Sequence, residues 1–426
     1  MNKSESTDRV VKHLQNLRFA SAILLAVLSP FHAFLITWLT AAGLSNGIAI
    51  WREVIVLVII TLISIELLLK RRRPTLDMLD LTILLFALIS LIWLPIQKTP
   101  LSQWILGVRY DIMPFIFFIF VRQATWPKAG VIFKYFLASA ALVMIFGVLH
   151  ALILPRDFLT YFGYSTSQLF FDHQSALSAC QYLEFTDSVC RATSTFGGPT
   201  RFGTYLILVI GLCIPLIKSA RTRQFGTSMI LIAMLNIVLT YSRSIWIGVA
   251  AGTLLLLFVR RNKVSSKKKR AVGLVVGAIV LFGVLISGYA LTNKDSLLQK
   301  IIVREVSTGE HILYLKQGIE RLRENPFGSG VGTVGPASTR YNKALTENWF
   351  LQISGEMGIP GLAIFLTMLY LFFEKLWIEK RDPIKLGLLL SLTAITVTGL
   401  FTHSFEETTT AVLLMGVVGV RVEGEV

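Results

Sequence analysis

Apolar runs of about 17 to 25 residues recur along the whole chain, each long enough to cross a hydrocarbon layer roughly 30 Å thick as a helix. They fall near 18 to 39, 48 to 69, 79 to 96, 105 to 121, 131 to 154, 202 to 217, 227 to 241, 245 to 259, 272 to 291, 349 to 374, 385 to 402 and 408 to 420. The pattern predicts an all-α polytopic membrane protein with about twelve transmembrane helices. A hydrophobic fraction of 54%, a charged fraction of 15% and a mean hydropathy of +0.66 exclude a soluble globular fold. Residues 1–426 therefore read as a single integral membrane domain. The first run follows Lys3, Arg9, Lys12 and Arg18 and is long enough to span, so it reads as the first helix and not as a cleavable leader.

The net charge of +16 could suggest nucleic acid, but the basic residues sit in alternate short loops. Topology and anionic lipid headgroups explain them there, so membrane lipid is the expected partner and nucleic acid is not. Lys70 to Arg73, Arg122 with Lys128, Lys218 to Arg223, Arg260 to Arg270 and Lys375 to Lys385 mark one side, and the opposite short loops carry almost no charge. This asymmetry predicts both termini in the cytoplasm. Two long connections, 155–201 and 292–348, then fall outside, where loops of that length are usually functional or disordered. The second holds Ile312, Leu315, Ile319 and Leu322 at helical spacing before Pro326, the mark of an amphipathic helix lying on the membrane or against the bundle. Cys180 and Cys190 share the first loop and could form a disulfide outside the cell, whereas Cys213 lies in an apolar run. No spacing suggests a metal site, and no cofactor is expected.

With this orientation, the ionisable residues at helix ends gather in one layer near the outer face. Arg52 and Glu53 begin the second helix, Arg109 and Asp111 the fourth, Arg201 precedes the sixth, Arg243 joins the seventh and eighth, and His403 joins the last two. Each alone reads as an interfacial anchor that snorkels outward. Together with Arg191 they suggest a polar site at headgroup depth, because charges at membrane depth usually face a bundle interior or a wet cavity. Guanidinium groups donate in pairs to phosphate and keep their charge when partly desolvated, so the layer suits a lipid-linked phosphate or pyrophosphate, or a water-soluble anion. Pro326 to Gly335 could form a nest of backbone amides for phosphate, but it lacks the ending of a phosphate-binding loop, which favours tight-turn packing. Asn348, Gln352 and Glu356 make one polar stripe on the next helix, and Gly358 to Gly361 with its proline invites a kink. Glu347 could take a proton from a sugar hydroxyl, or serve as a cap carboxylate at the helix N-terminus.

Three stretches carry a resemblance to the O-antigen ligase and polymerase superfamily of bacterial envelope glycan assembly: Arg191 to Gly203, Leu239 to Trp246, and Glu324 to Gly332 leading to Glu347 to Gly358. The resemblance spans roughly residues 105 to 375. It implies a metal-independent glycosyltransferase of GT-C-like fold in the bacterial inner membrane, taking an undecaprenyl-pyrophosphate-linked glycan on its outer face. In its terms Arg191 and Arg243, with Arg201 and Arg109, would hold the pyrophosphate. Glu347 and Asn348 would be catalytic, with Glu356, His311 and His403 near the acceptor. The sequence departs from the ligase pattern at Glu347, where a histidine normally stands, and an acidic residue there looks more like the polymerase branch. The lead reading is a polymerase of lipid-linked repeat units, with a chain-length regulator protein as an optional partner. The alternative is a ligase delivering finished glycan to a lipid A core or another acceptor. A secondary transporter or lipid flippase ranks lower, since its charges should lie near the midplane in broken helices.

Overall fold

The computed structural model describes residues 3–166, 177–183, 189–260, 305–340 and 345–420. The predicted segment 272–291 lies outside the described residues, as do parts of both long connections. The described chain is all-α, with two isolated bridges and no strand. Its helices are α1 (Lys3–Leu28), α2 (His32–Ala41), α3 (Trp51–Leu69), α4 (Met78–Ile96), α5 (Leu101–Asp111), α6 (Met113–Gln123), α7 (Ala129–Leu152), α8 (Pro199–Lys218), α9 (Arg223–Leu239), α10 (Arg243–Arg260), α11 (Glu305–Glu324), α12 (Trp349–Ile378), α13 (Pro383–Thr398) and α14 (Thr408–Gly419). The other eleven predicted apolar segments all correspond to helix. Among the described residues seven helical stretches are long and apolar enough to cross a membrane, or eight if α5 and α6, bent by 52°, count as one span. Three shorter apolar helices, α9, α13 and α14, are present beside them among the described residues. Leu57, Leu68, Leu142 and Leu231, all on spans or on these shorter helices, are exposed, as side chains facing lipid would be.

Local chemistry sets the helix boundaries. Pro30 follows the end of α1 and a short turn leads into α2. Asp77 caps α4 in a reciprocal box with Asp80, and Asp382 caps α13 just ahead of Pro383. Inside lipid, helices gain little by hiding apolar surface from one another, so close packing rests on small residues. At the crossing of α8 and α13 a side chain on Gly211 would strike Ser391 and the Gly387 carbonyl. The aromatic core is Phe115, Phe365, Phe372, Trp349 and Phe405, with the Trp349 and Phe405 rings stacked at 4.4 Å.

The kink expected near Gly358 is present, with φ of +70° at Gly358 and Pro360 inside α12. Proline has no N–H to offer the Glu356 carbonyl. The Gly-rich stretch supplies what is missing: Gly330 donates to the Glu356 carbonyl (2.9 Å), Ser329 to the Gly355 carbonyl (2.8 Å), and Ile359 donates to the Pro326 carbonyl (2.8 Å). The stretch is thus a plug in the kink, and these amides are spent on it. α11 packs on α12 through Gly318, which meets Leu351 and Thr346, and leaves Ile312, Leu315 and Ile319 exposed.

Candidate active site

The end of the bundle opposite the basic loops is closed by two inserted segments. Residues 191–196 enter between helices: Ala192 donates to the Leu239 carbonyl (2.8 Å), Ser194 Oγ to the Val143 carbonyl (2.6 Å) and Thr195 Oγ1 to the Pro30 carbonyl (2.7 Å). Burial there forces every polar group to find a partner. The segment sets Arg191 against the α9–α10 turn, its Nε donating to the Thr240 carbonyl at 2.9 Å, and Arg243 begins α10 just beyond. Cys180 and Cys190, joined as a disulfide, lie on the same loop. The second segment is the α13–α14 connector, held over the head of α12. Trp349 N–H donates to the Gly399 carbonyl (2.8 Å) and Asn348 Nδ2 to the Leu400 carbonyl (2.9 Å).

Between these segments and the ends of α1, α3 and α5 lies a cavity of about 110 Å³, lined by His32, Arg52, Arg109, Arg201, Glu407 and Thr408 among others. Arg52 is buried and donates to Thr409 Oγ1 and, at 2.5 Å, to Thr408 Oγ1. Arg109 Nε stands 2.7 Å from Glu53 Oε1, and Arg201 Nε 3.7 Å from Glu407 Oε2. Three arginines against two carboxylates leave the cavity net cationic, suited to an anion that can use guanidinium forks.

A second group stands at the head of α12. Glu347, in the left-handed region with φ of +46°, pairs with His311 of α11. A residue with a side chain is strained there, and such strain persists only where the surroundings hold it. Arg243 Nη1 donates to Thr308 Oγ1, also on α11, at 3.0 Å. Thus α11 ties the arginine of one motif stretch to the carboxylate of another. His403, on the connector, lies within electrostatic reach of Glu347, Arg201 and His311, so the cavity and the Glu347 group belong to one region. Burial above all pushes its pKa down to about 4; Glu347 opposes this while Arg201 and His311 add to it.

The structure therefore divides the residues singled out from sequence. Arg109 and Arg201 line the cavity, Arg191 and Arg243 flank the α9–α10 turn, and Glu347, His311 and His403 stand by the head of α12. Asn348 is the N-cap of α12, its Oδ1 accepting from the Leu351 N–H at 2.9 Å. Glu356 is buried beneath, accepting from the Val334 N–H at 3.3 Å. His32, Glu407 and Thr308 were not picked out; a histidine within the first apolar run was the available signal for His32. Among the described residues no group of three or more His, Cys, Asp or Glu could hold a metal ion.

Fold and site define a class: a polytopic membrane protein with an arginine-lined polar site at one end of its helical bundle. A family model described as O-antigen ligase matches residues 228–366, which run from α9 through the kink of α12. An O-antigen polymerase of Salmonella muenchen is 24% identical over 331 residues, covering 74% of this chain and 79% of that protein. Over these stretches the chain is similar to proteins of O-antigen ligation and polymerisation.

Proposed function

We propose that the protein is a glycosyltransferase that polymerises lipid-linked oligosaccharide repeat units at the outer face of a bacterial cytoplasmic membrane. The observation that carries this reading is the convergence of Glu347, Arg243, His403 and the arginine-lined cavity at one end of the bundle, opposite the basic loops. The 24% identical polymerase supports it. The substrate would be a glycan on undecaprenyl pyrophosphate, its pyrophosphate held by Arg191 and Arg243 with Arg109 and Arg201 nearby. The bond between the sugar anomeric carbon and the pyrophosphate oxygen breaks, and the electron pair leaves with the pyrophosphate. An acceptor hydroxyl oxygen bonds to that carbon and gives up its proton, for which Glu347 is the base. Fixed guanidinium charge stabilises the leaving group as it gains negative charge, which is the largest contribution in such a site. A chain-length regulator protein would be a further partner.

The second reading is a ligase that delivers finished glycan to a lipid A core or another acceptor, favoured by the description of the matching family model. Deleting the gene and resolving surface glycans and lipid-linked intermediates on a gel separates the two. Loss of the long-chain ladder with single repeats still attached to the acceptor is the expected result. Full-length glycan stranded on the lipid carrier would establish the ligase, and unchanged glycans would reject both.

A further inference from the structure

A chain of buried polar groups runs from His403 into the bundle, and the reaction outlined above makes no use of it. His403 Nδ1 lies 2.6 Å from Gln352 Oε1, and Gln352 Nε2 donates to Asp111 Oδ1 at 3.2 Å. The Asp111 carboxyl interacts in turn with Glu356, whose Oε1 accepts from the Val334 N–H of the plug. Asp111, Gln352 and Glu356 are each at most 2% exposed, so each group in the chain has its choice of partner fixed. The chain decides which nitrogen of His403 carries the proton. Because the amide nitrogen of Gln352 is committed to a carboxylate, its oxygen faces the ring, and an amide oxygen can only accept. The proton is therefore on Nδ1. A neutral imidazole has one N–H, so Nε2 presents a bare lone pair. That atom is buried and has no hydrogen-bond partner among the described residues. Burial keeps the ring neutral, and an acceptor left buried and unmet is costly.

We propose that His403 Nε2 is a fixed hydrogen-bond acceptor for a hydroxyl of the acceptor sugar, held in its tautomer by Gln352 and Asp111. It deepens the transferase reading and rests on it. A sugar hydroxyl is the group that fits: it donates one hydrogen bond to a bare imidazole nitrogen, needs no charge of its own to do so, and would lie within reach of Glu347, the base in that reading. Gln352, Asp111 and Glu356 are positioning residues that act through the ring.

The test uses full-length protein in detergent or nanodiscs, with lipid-linked oligosaccharides extracted from the gene-deletion strain as the probe. The expected outcome for His403→Leu is a kcat lowered about 100-fold or more, the scale of removing one oriented hydrogen bond from a transition state, with probe binding within about twofold of wild type. His403→Gln, which returns an acceptor near the Nε2 position, keeps at least a tenth of the wild-type rate. Gln352→Leu releases the tautomer and falls between them. A His403→Leu protein at wild-type rate, one whose probe binding falls as far as its rate, or a monodisperse His403→Gln protein as inactive as His403→Leu would overturn the assignment. A wild-type protein that binds the probe and transfers nothing would instead overturn the transferase reading.

Discussion

Both ends of the bundle bury arginines against carboxylates, yet the space left beside them differs tenfold. At the basic end Arg122 meets Asp80 at 2.7 Å and Asp77 at 2.8 Å, Lys375 reaches Asp77 at 3.3 Å, and Arg18 pairs with Glu66, which Lys70 also meets at 2.6 Å. The gap next to Glu66 and Lys70 is about 10 Å³, against about 110 Å³ beside Arg52, Arg109 and Arg201. Burial raises the Asp77 pKa, but the Arg122 hydrogen bond, the Asp80 N–H and the neighbouring cations bring it below the ordinary carboxylate range, so it stays charged and paired. His403 shows the opposite balance, since burial dominates and the ring stays neutral with one nitrogen unmet. Charges that satisfy one another in a closed space tie helices together. Charged and polar groups around a larger space leave room for a group that is not part of the chain.

The comparison breaks first if the basic end proves dispensable. Arg122→Ala leaves Asp80 buried without its cation, which should cost about 3–5 kcal/mol and deplete the protein from the membrane. Normal levels and an unchanged melting temperature would show that these pairs do not hold the bundle. At the other end the effect should fall on activity. Arg243→Lys is expected to lose transfer by about 100-fold at normal membrane level, because an ammonium cannot present the fork of a guanidinium to phosphate and Thr308 together. A fully active Arg243→Lys protein would remove Arg243 from pyrophosphate binding.

A smaller effect is expected with pH. The folded His403 titrates at about 4 and the free ring at 6.5, so the unfolded chain takes up a proton between these values that the folded chain refuses. The stability the neutral ring contributes is complete above pH 6.5 and is lost as pH falls toward 4. Thermal unfolding of the wild type should therefore weaken more from pH 7 to pH 4.5 than that of His403→Gln, and equal losses would contradict the neutral ring. The smallest effect sharpens the role of Asn348. As an N-cap it should cost about 1 kcal/mol on Asn348→Ala, read as a lowered melting temperature with a proportionate loss of activity. An activity loss of several orders at unchanged stability would make it catalytic after all.

Much of the architecture was legible because it depends on short-range rules. Hydropathy located the apolar helices, Pro360 with Gly358 foretold the kink, and the spacing of Ile312, Leu315 and Ile319 foretold α11. The layer of arginines at the end away from the basic loops was also visible, since charge at membrane depth stands out in any apolar run. The cavity was not, because its walls come from five stretches of chain whose proximity no local pattern encodes. The head of α12 shows the ambiguity: Glu347 reads equally as a base and as a cap, and the bonds of Asn348 to Leu351 and Leu400 give the cap position to Asn348 instead.

The sequence by itself determined that this chain is a helical membrane protein with its polar residues gathered at the helix ends, because the cost of placing polar groups in hydrocarbon acts residue by residue. Only the tertiary structure decided which arginines share a cavity, that the Gly-rich stretch fills a kink, and which nitrogen of His403 meets Gln352. Each of these depends on partners brought from distant parts of the chain, and a hydrogen bond exists only where both of its ends arrive.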